Sequence, residues 1–268
     1  MIKFLAGGPG DPVPLWEQPG SDAMSTARLT FESDTRHATI ARRMQGLRRY
    51  SVSRATATQP QIADPARVPP RIAELWWDSL QAIEDCFNSQ SGLADLADAM
   101  VRFPASPVSI PDRMSGPNLC FVEGTDFDVA QPAAFRFQDG EFRGRPILTK
   151  LYGFVRVSDP EAFDAWYLAE AVPAIRDLAN TRGHVLDRLV PRVIRIGNIV
   201  RGDQHSGERV VNIWFDDVPS IDAAAATAAG ADFFSSLAAR VASVDWISML
   251  NQEIFFSYDL APELYGIG

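Results

Sequence analysis

Two stretches half a chain apart constrain this sequence more than anything else in it. Residues 70–79 read PRIAELWWDS, and residues 208–217 read ERVVNIWFDD. Setting Trp76 on Trp214 places Glu74 on Asn212, Leu75 on Ile213, Trp77 on Phe215 and Asp78 on Asp216, all at an offset of 214 − 76 = 138 residues. In a chain of 268 residues that offset is about half the length, so the expectation is a duplication into two similar halves.

Each half then reads as the same series of elements. In the first, an apolar strand (2–6) precedes a Gly/Pro-rich loop. His37, Ile40, Ala41 and Met44 follow at helical spacing, and Gly46 stands where that helix should stop. Strand patterns over 47–57 and 71–78 precede a helix starting near Ser79. Its apolar stripes, Leu80, Ile83 and Phe87, then Leu93, Leu96 and Met100, lie on either side of a Ser-Gly break, and a strand over 118–123 closes the half. The second half repeats the order with ILTKLYGFVRV, a helix entered at Ser158-Asp159-Pro160 and broken or kinked at Pro173, VPRVIRIGNIV, ERVVNIWFDD, one helix over about 220–242, and SMLNQEIFFSY. The expected fold class is α+β, with two tandem ferredoxin-like (β-α-β-β-α-β) domains, 1–127 and 146–268, joined by a linker, 128–145. Each such unit leaves one sheet face bare, so the antiparallel sheets are expected to pack face to face as a barrel-like sandwich. Strand alternation puts Leu75, Trp77, Ile213 and Phe215 under helices and turns Glu74, Trp76, Asn212 and Trp214 toward the interior.

The run TRHATIARRMQGLRRYSVSR followed by AELWWDSLQAIED resembles the EthD-type members of the dimeric α+β barrel superfamily, in which a helix histidine precedes a Gly-Leu-x-x-Tyr strand and a later strand ends in Trp-Phe-Asp. By that resemblance His37 occupies the family's helix-histidine position, with Thr39 in place of the usual proline. The second half keeps Pro173 but carries Ala171 where the histidine would be. The superfamily includes cofactor-independent monooxygenases of phenols, isomerases and polyketide cyclases, so the resemblance implies a small oxygenated ligand.

The candidate catalytic residues are His37, Glu74 and Tyr50. His37 is either a general acid/base or a packed histidine on the stripe with Ile40 and Met44. Glu74, on an interior strand position, either has a raised pKa suited to proton transfer or makes a rim salt bridge with an arginine such as Arg49. Tyr50 can polarise a substrate oxygen or simply fill a core. Trp76, Trp214, Asn212 and Arg49 are the candidate substrate-binding residues, the indoles as walls for a flat ligand and Asn212 to orient a carbonyl. His184 and His205 fall in loop-like runs.

Composition narrows the partners. With 46% hydrophobic residues, 6 Trp and 16 Phe the chain can bury substantial cores. A net charge of −9 argues against nucleic acid, the arginines 42, 43, 48 and 49 notwithstanding. No apolar run is long enough to cross a membrane, and a cytoplasmic location with reduced Cys86 and Cys120 is expected. No metal spacing, glycine fingerprint or nucleophile elbow is present. Phe137-Gln138-Asp139-Gly140 resembles part of a motif of haem-binding dye-decolorising peroxidases but lacks its leading glycine, so no haem and no other cofactor is expected. The expected function is acid/base chemistry, as an isomerase or lyase, on an aromatic-derived catabolite or polyketide. The alternatives are a cofactor-free monooxygenase of phenols, a non-catalytic small-molecule binding protein, and a peroxidase-like haem protein. A homodimer is compatible with the sequence.

Overall fold

The computed structural model describes residues 2–6, 38–69, 71–102, 119–124, 148–190, 194–196, 199–201 and 209–256. Its centre is a closed barrel of eight strands, every neighbouring pair antiparallel: β1 (Ile2–Ala6), β2 (Arg49–Ala55), β3 (Arg71–Trp77), β4 (Leu119–Gly124), β5 (Leu148–Arg156), β6 (Thr181–Val190), β9 (Arg209–Phe215) and β10 (Ser243–Phe256), with β7 (Ile194–Ile196) and β8 (Ile199–Arg201) forming a separate two-stranded sheet. Around the barrel the order is β1-β3-β2-β10-β5-β9-β6-β4. Residues 2–124 contribute β4-β1-β3-β2 and residues 148–256 contribute β10-β5-β9-β6, the same ferredoxin-like order twice. Because the order repeats after four of eight strands, a half-turn about the barrel axis carries one set onto the other. Matched residues therefore stand at the same height on opposite walls.

The expected packing of the two sheets face to face as a barrel is seen, and the strand edges close it. β2 pairs with β10 and β4 with β6, so both sheets lose their open edges to hydrogen bonds and the wall is continuous.

The helices lie outside this wall. In the first set α1 (Ala38–Ala41) ends in a turn that stops at Gly46, whose φ of 69° is the left-handed conformation a glycine reaches without strain. Then α2 (Leu80–Phe87) is capped by Ser79, and α3 (Gln90–Arg102) follows after a two-residue break. The second set has α4 (Pro160–Trp166), a π-helical turn (Tyr167–Ala171), α5 (Val172–Asp177), α6 (Val218–Ala226) and α7 (Ala228–Ala239). The wide turn lies just before Pro173, which has no N–H to give to the turn preceding it. The sequence reading of one helix over 220–242 is corrected by a break at Thr227. This break is the counterpart, 138 residues on, of the one at Ser89: each hydroxyl accepts from the glycine three residues later, Gly92 N at 3.2 Å and Gly230 N at 3.0 Å. A Cβ at Gly92 would overlap the Cys86 carbonyl oxygen, and one at Gly230 the Ala224 carbonyl oxygen. Both corners need glycine.

A second correction concerns β6. The sequence reading placed the second strand of this half at 190–200 and a loop at TRGHVLD. Instead TRGHVLDRLV is the barrel strand, and 194–196 pairs with 199–201 apart from the barrel. Gly183 sits at a register shift against β9, which lets the strand continue after Asn180 turns the chain at φ 63°.

Two cores separate wall from helices. Phe4, Tyr50, Leu75, Trp77, Ile83 and Phe87 form one, and Leu151, Phe163, Tyr167, Ile175, Ile213 and Phe215 belong to the other. A third apolar group, Leu5, Ile72, Phe154, Val210, Ile247 and Met249 with the ring of Tyr152, fills part of the barrel itself.

Candidate functional site in the barrel interior

Strand pairing fixes which residues share the interior. On the first wall Lys3, Trp76 and Arg49 stand side by side, then Leu5, Glu74 and Ser51, then Ile72 and Ser53. On the opposite wall the matched rows are Lys150, Trp214 and Gly183, then Tyr152, Asn212 and Val185, then Phe154, Val210 and Asp187. The rows place Trp76 and Trp214 at one end of the barrel, as aromatic faces above the lysines, and Trp76 is half-buried whereas Trp214 is buried. The Arg49 guanidinium lies 4.4 Å from the centre of the Trp76 ring, beside it at that end.

Below the indoles lies a buried charge cluster made by both walls. Glu74 is fully buried and accepts from Lys3 Nζ at 2.7 Å, Lys150 Nζ at 2.7 and 2.9 Å, the Tyr152 hydroxyl at 2.9 Å and Ser51 Oγ at 3.3 Å. Lys3 also donates to Asp187, whose carboxylate accepts a second bond from Asn212 Nδ2 at 2.8 Å. Two lysines and two carboxylates thus leave the cluster neutral at its centre, as burial demands. A chain of donors leads to Glu74 from the tryptophan end. Trp214 Nε1 donates to Asn251, Asn251 Nδ2 to Ser53, Ser53 Oγ meets the Tyr152 hydroxyl at 2.7 Å, and that hydroxyl's own proton points at Glu74. Every member of that chain thereby has its orientation set.

The protonation states follow from this arrangement. Burial alone would raise the Glu74 carboxyl, but the charges and hydrogen bonds of Lys150 and Lys3 outweigh it and hold the group well below the usual carboxylate range. Burial likewise pulls both lysines down. Lys3, between Asp187 and Glu74, is brought back above its ordinary value. Lys150 has Glu74 as its close carboxylate and feels the Lys3 charge, and it stays lowered, at about 8. The Tyr152 phenol is pushed up by burial and by Glu74, so it remains a hydrogen-bond donor. One of the two amines can therefore shed its proton near neutral pH, beside a permanently ionised carboxylate.

Lys3 and Lys150 escaped sequence reasoning, although a strong signal was available. Of the 25 lysines and arginines in the chain these are the only two lysines. They occupy matched positions in the first strand of each set, inside the apolar runs IKFLA and LTKLYGF. Tyr152 and Asp187, also missed, complete the cluster.

The other expected site residues fare unevenly. Glu74, Trp76, Trp214, Asn212 and Arg49 are brought together in the interior. The raised pKa anticipated for Glu74 is reversed by the two lysines, and its alternative, a rim salt bridge to an arginine, gives way to a buried cluster. Tyr50 is buried on the opposite face of β2, in the helix-side core with Leu75 and Trp77, and does not meet Glu74. Asn212 cannot orient a carbonyl through its amide nitrogen, because Nδ2 is already engaged by Val185 O, Val210 O and Asp187. His37 and His205 lie outside the described residues. His184 is not in a loop: it is buried on β6, facing the helices, with no partner for Nε2, and burial followed by the nearby Arg176 charge lowers it to about 4. The linker and the Asp139-Gly140 turn also fall outside the described residues. Among the described residues no three His, Cys, Asp or Glu side chains gather as a metal site, and no helix is long and apolar enough to cross a membrane.

Comparison with solved structures identifies the architecture. A protein named as a candidate monooxygenase from Fusobacterium nucleatum matches 94% of this chain and 92% of its own, with a TM-score of 0.52 at 9% identity. An anthrone oxidase-like protein matches the same shares, with a TM-score of 0.50 at 12% identity. At these identities the likeness is one of fold, and that fold is the dimeric α+β barrel, here closed by a single chain. An EthD family protein from Bacillus halodurans aligns with 38% of this chain and 96% of its own at 17% identity, but its TM-score of 0.32 adds nothing to the assignment. No family model and no curated protein sequence matches the chain.

Proposed function

We propose that the protein is a cofactor-independent oxidase of phenols or their keto tautomers, with Lys150 as the base. The observation that supports this most is the buried Lys150–Glu74–Lys3 cluster beneath two tryptophans, since one amine there loses its proton near neutral pH while the other stays charged. A neutral Lys150 removes a proton from a phenol or from the acidic methylene of an anthrone-like compound. The Lys3 ammonium then stabilises the resulting oxyanion, in a site where water no longer screens the charge. The electron-rich anion adds dioxygen as a hydroperoxide. Loss of water from that adduct converts the methylene to a carbonyl, so that one O2 is consumed and one H2O formed per substrate. Trp76 and Trp214 supply flat faces for the rings. The two structural neighbours, a candidate monooxygenase and an anthrone oxidase-like protein, favour oxidation as the first chemistry to test.

The isomerase or lyase reading uses the same amine but consumes no oxygen, which separates the two. Purified protein given anthrone should take up dioxygen and form the quinone. Lys150→Met should lower the rate by about 10²–10⁴-fold, the usual cost of losing a general base. Lys150→Arg should fail equally, because a guanidinium keeps its proton. Conversion of a phenolic or enolic substrate without oxygen uptake would replace this reading by isomerisation. Binding without conversion would leave a binding protein.

A further inference from the structure

We propose that Lys150 is also a nucleophile, an amine that condenses with a small aldehyde or ketone inside the barrel to form a protonated imine. This goes beyond phenol oxidation and does not depend on it, since a base need not be a nucleophile.

The first support is residue choice. Among the described residues the other ion pairs are made with arginine, a partly buried one included: Arg209 grips Asp164 through two bonds of 2.8 and 2.9 Å, while Arg48 grips Asp78 at the surface. A buried ion pair alone therefore does not call for lysine here. Yet the only two lysines face each other across the barrel. Lysine differs from arginine in being able to lose its proton and attack a carbonyl carbon.

The second support is the unequal pairing. Lys3 bonds to both Glu74 and Asp187, whereas Lys150 shares Glu74 with Lys3. Both nitrogens lie within 2.9 Å of the same Glu74 oxygen, so a second cation stands beside Lys150 and favours its neutral form. The third is the surroundings the reaction needs. Glu74 stays ionised and accepts from the ammonium, and the Tyr152 hydroxyl stands beside it as donor, while the rings of Tyr152 and Trp214, at 4.3 and 4.7 Å from Nζ, offer faces to a planar imine. The step balances as ammonium plus carbonyl giving iminium plus water: the C–N bond forms, the carbonyl oxygen takes two protons from nitrogen through these neighbours, and water leaves. The iminium keeps the charge that Glu74 neutralises. Entry is from the end where half-buried Trp76 reaches solvent.

The low lysine count makes the test clean. The full chain is incubated with acetaldehyde and cyanoborohydride at pH 7.5, and the ethylated sites are mapped by mass spectrometry. Besides the chain's amino terminus, only Lys3 and Lys150 can react. The expected result is labelling of Lys150 at least about tenfold faster than Lys3, since more than one pKa unit separates their free-amine fractions. The Lys150 label should be lost in Lys150→Arg, with far-ultraviolet dichroism unchanged. Should Lys150→Arg fail to fold, the wild-type pH profile replaces it, with labelling of Lys150 rising through its titration near pH 8 while Lys3 stays unlabelled. Label confined to the amino terminus in the folded chain, while urea-unfolded protein labels at both lysines, would overturn the proposal, as would equal labelling of the two. Oxygen uptake with anthrone is read separately, so either proposal can fail alone.

Discussion

The two walls of the barrel share a frame and differ in chemistry. At matched positions both carry a lysine and a tryptophan, Lys3 and Trp76 on one side, Lys150 and Trp214 on the other. One row down, Leu5, Glu74 and Ser51 face Tyr152, Asn212 and Val185, and in the third row Ser53 faces Asp187. Each wall contributes one lysine and one carboxylate, but the carboxylates sit at different heights. Lys3 consequently reaches both and Lys150 relies on Glu74. The lesson is that a duplicated barrel need not have two sites. Displacing one carboxylate by a row makes equivalent lysines inequivalent, and in the proposed function a single amine is set apart for chemistry.

The largest way to break this comparison is to remove the shared carboxylate. Glu74→Gln leaves Lys150 without its carboxylate and should destabilise the fold by about 3–5 kcal/mol in urea titration, the cost of stranding a buried charge. Asn212→Leu, at the matched position, should cost about 1–3 kcal/mol, because Asp187 keeps its bond to Lys3. Equal losses at the two positions would contradict the asymmetry. In the helical layer the halves should instead behave alike. Gly92→Ala and Gly230→Ala each push a methyl into a backbone carbonyl and should each cost about 1–3 kcal/mol.

Smaller effects sharpen the picture outside the barrel. His184 stands where the first wall has Tyr50. Its folded pKa of about 4 lies below its ordinary 6.5, so the unfolded chain binds more protons between those values. Stability should therefore fall as pH drops from about 6.5 to 4, by up to ~1.4 kcal/mol per pH unit from this one residue, and level off below. His184→Leu should flatten that part of the stability curve. Ser89→Ala and Thr227→Ala, which remove matching caps, should each cost about 1 kcal/mol by thermal unfolding.

Much of the frame was legible because burial writes periodic patterns. The Trp76/Trp214 match located equivalent strands, and alternation assigned Glu74 and Asn212 to the interior and Leu75 and Ile213 to the helix side, as they lie. Edge pairing was not legible, since hydrogen bonds between β2 and β10 are made by backbone and leave little mark on side chains. β6 was misplaced because glycine and charged residues punctuate it, while the apolar 194–201 imitated a strand of the barrel. Of the two readings of Glu74, pairing was legible, but its partners and the direction of its pKa were not, for a similar reason. Its pKa depends on partners 71 and 76 residues away, and only the closed barrel brings Lys3 and Lys150 to it.

The inequivalence of the two lysines is the centre of this account, and it can be measured directly. Protein labelled with ¹⁵N at lysine Nζ contains two such nitrogens, Lys3 and Lys150, which Lys3→Arg and Lys150→Arg assign. Following both signals from pH 6 to 11 should show Lys150 losing its proton near pH 8 while Lys3 remains charged beyond its ordinary 10.5. Two signals that titrate together at or above 10.5 would contradict the account.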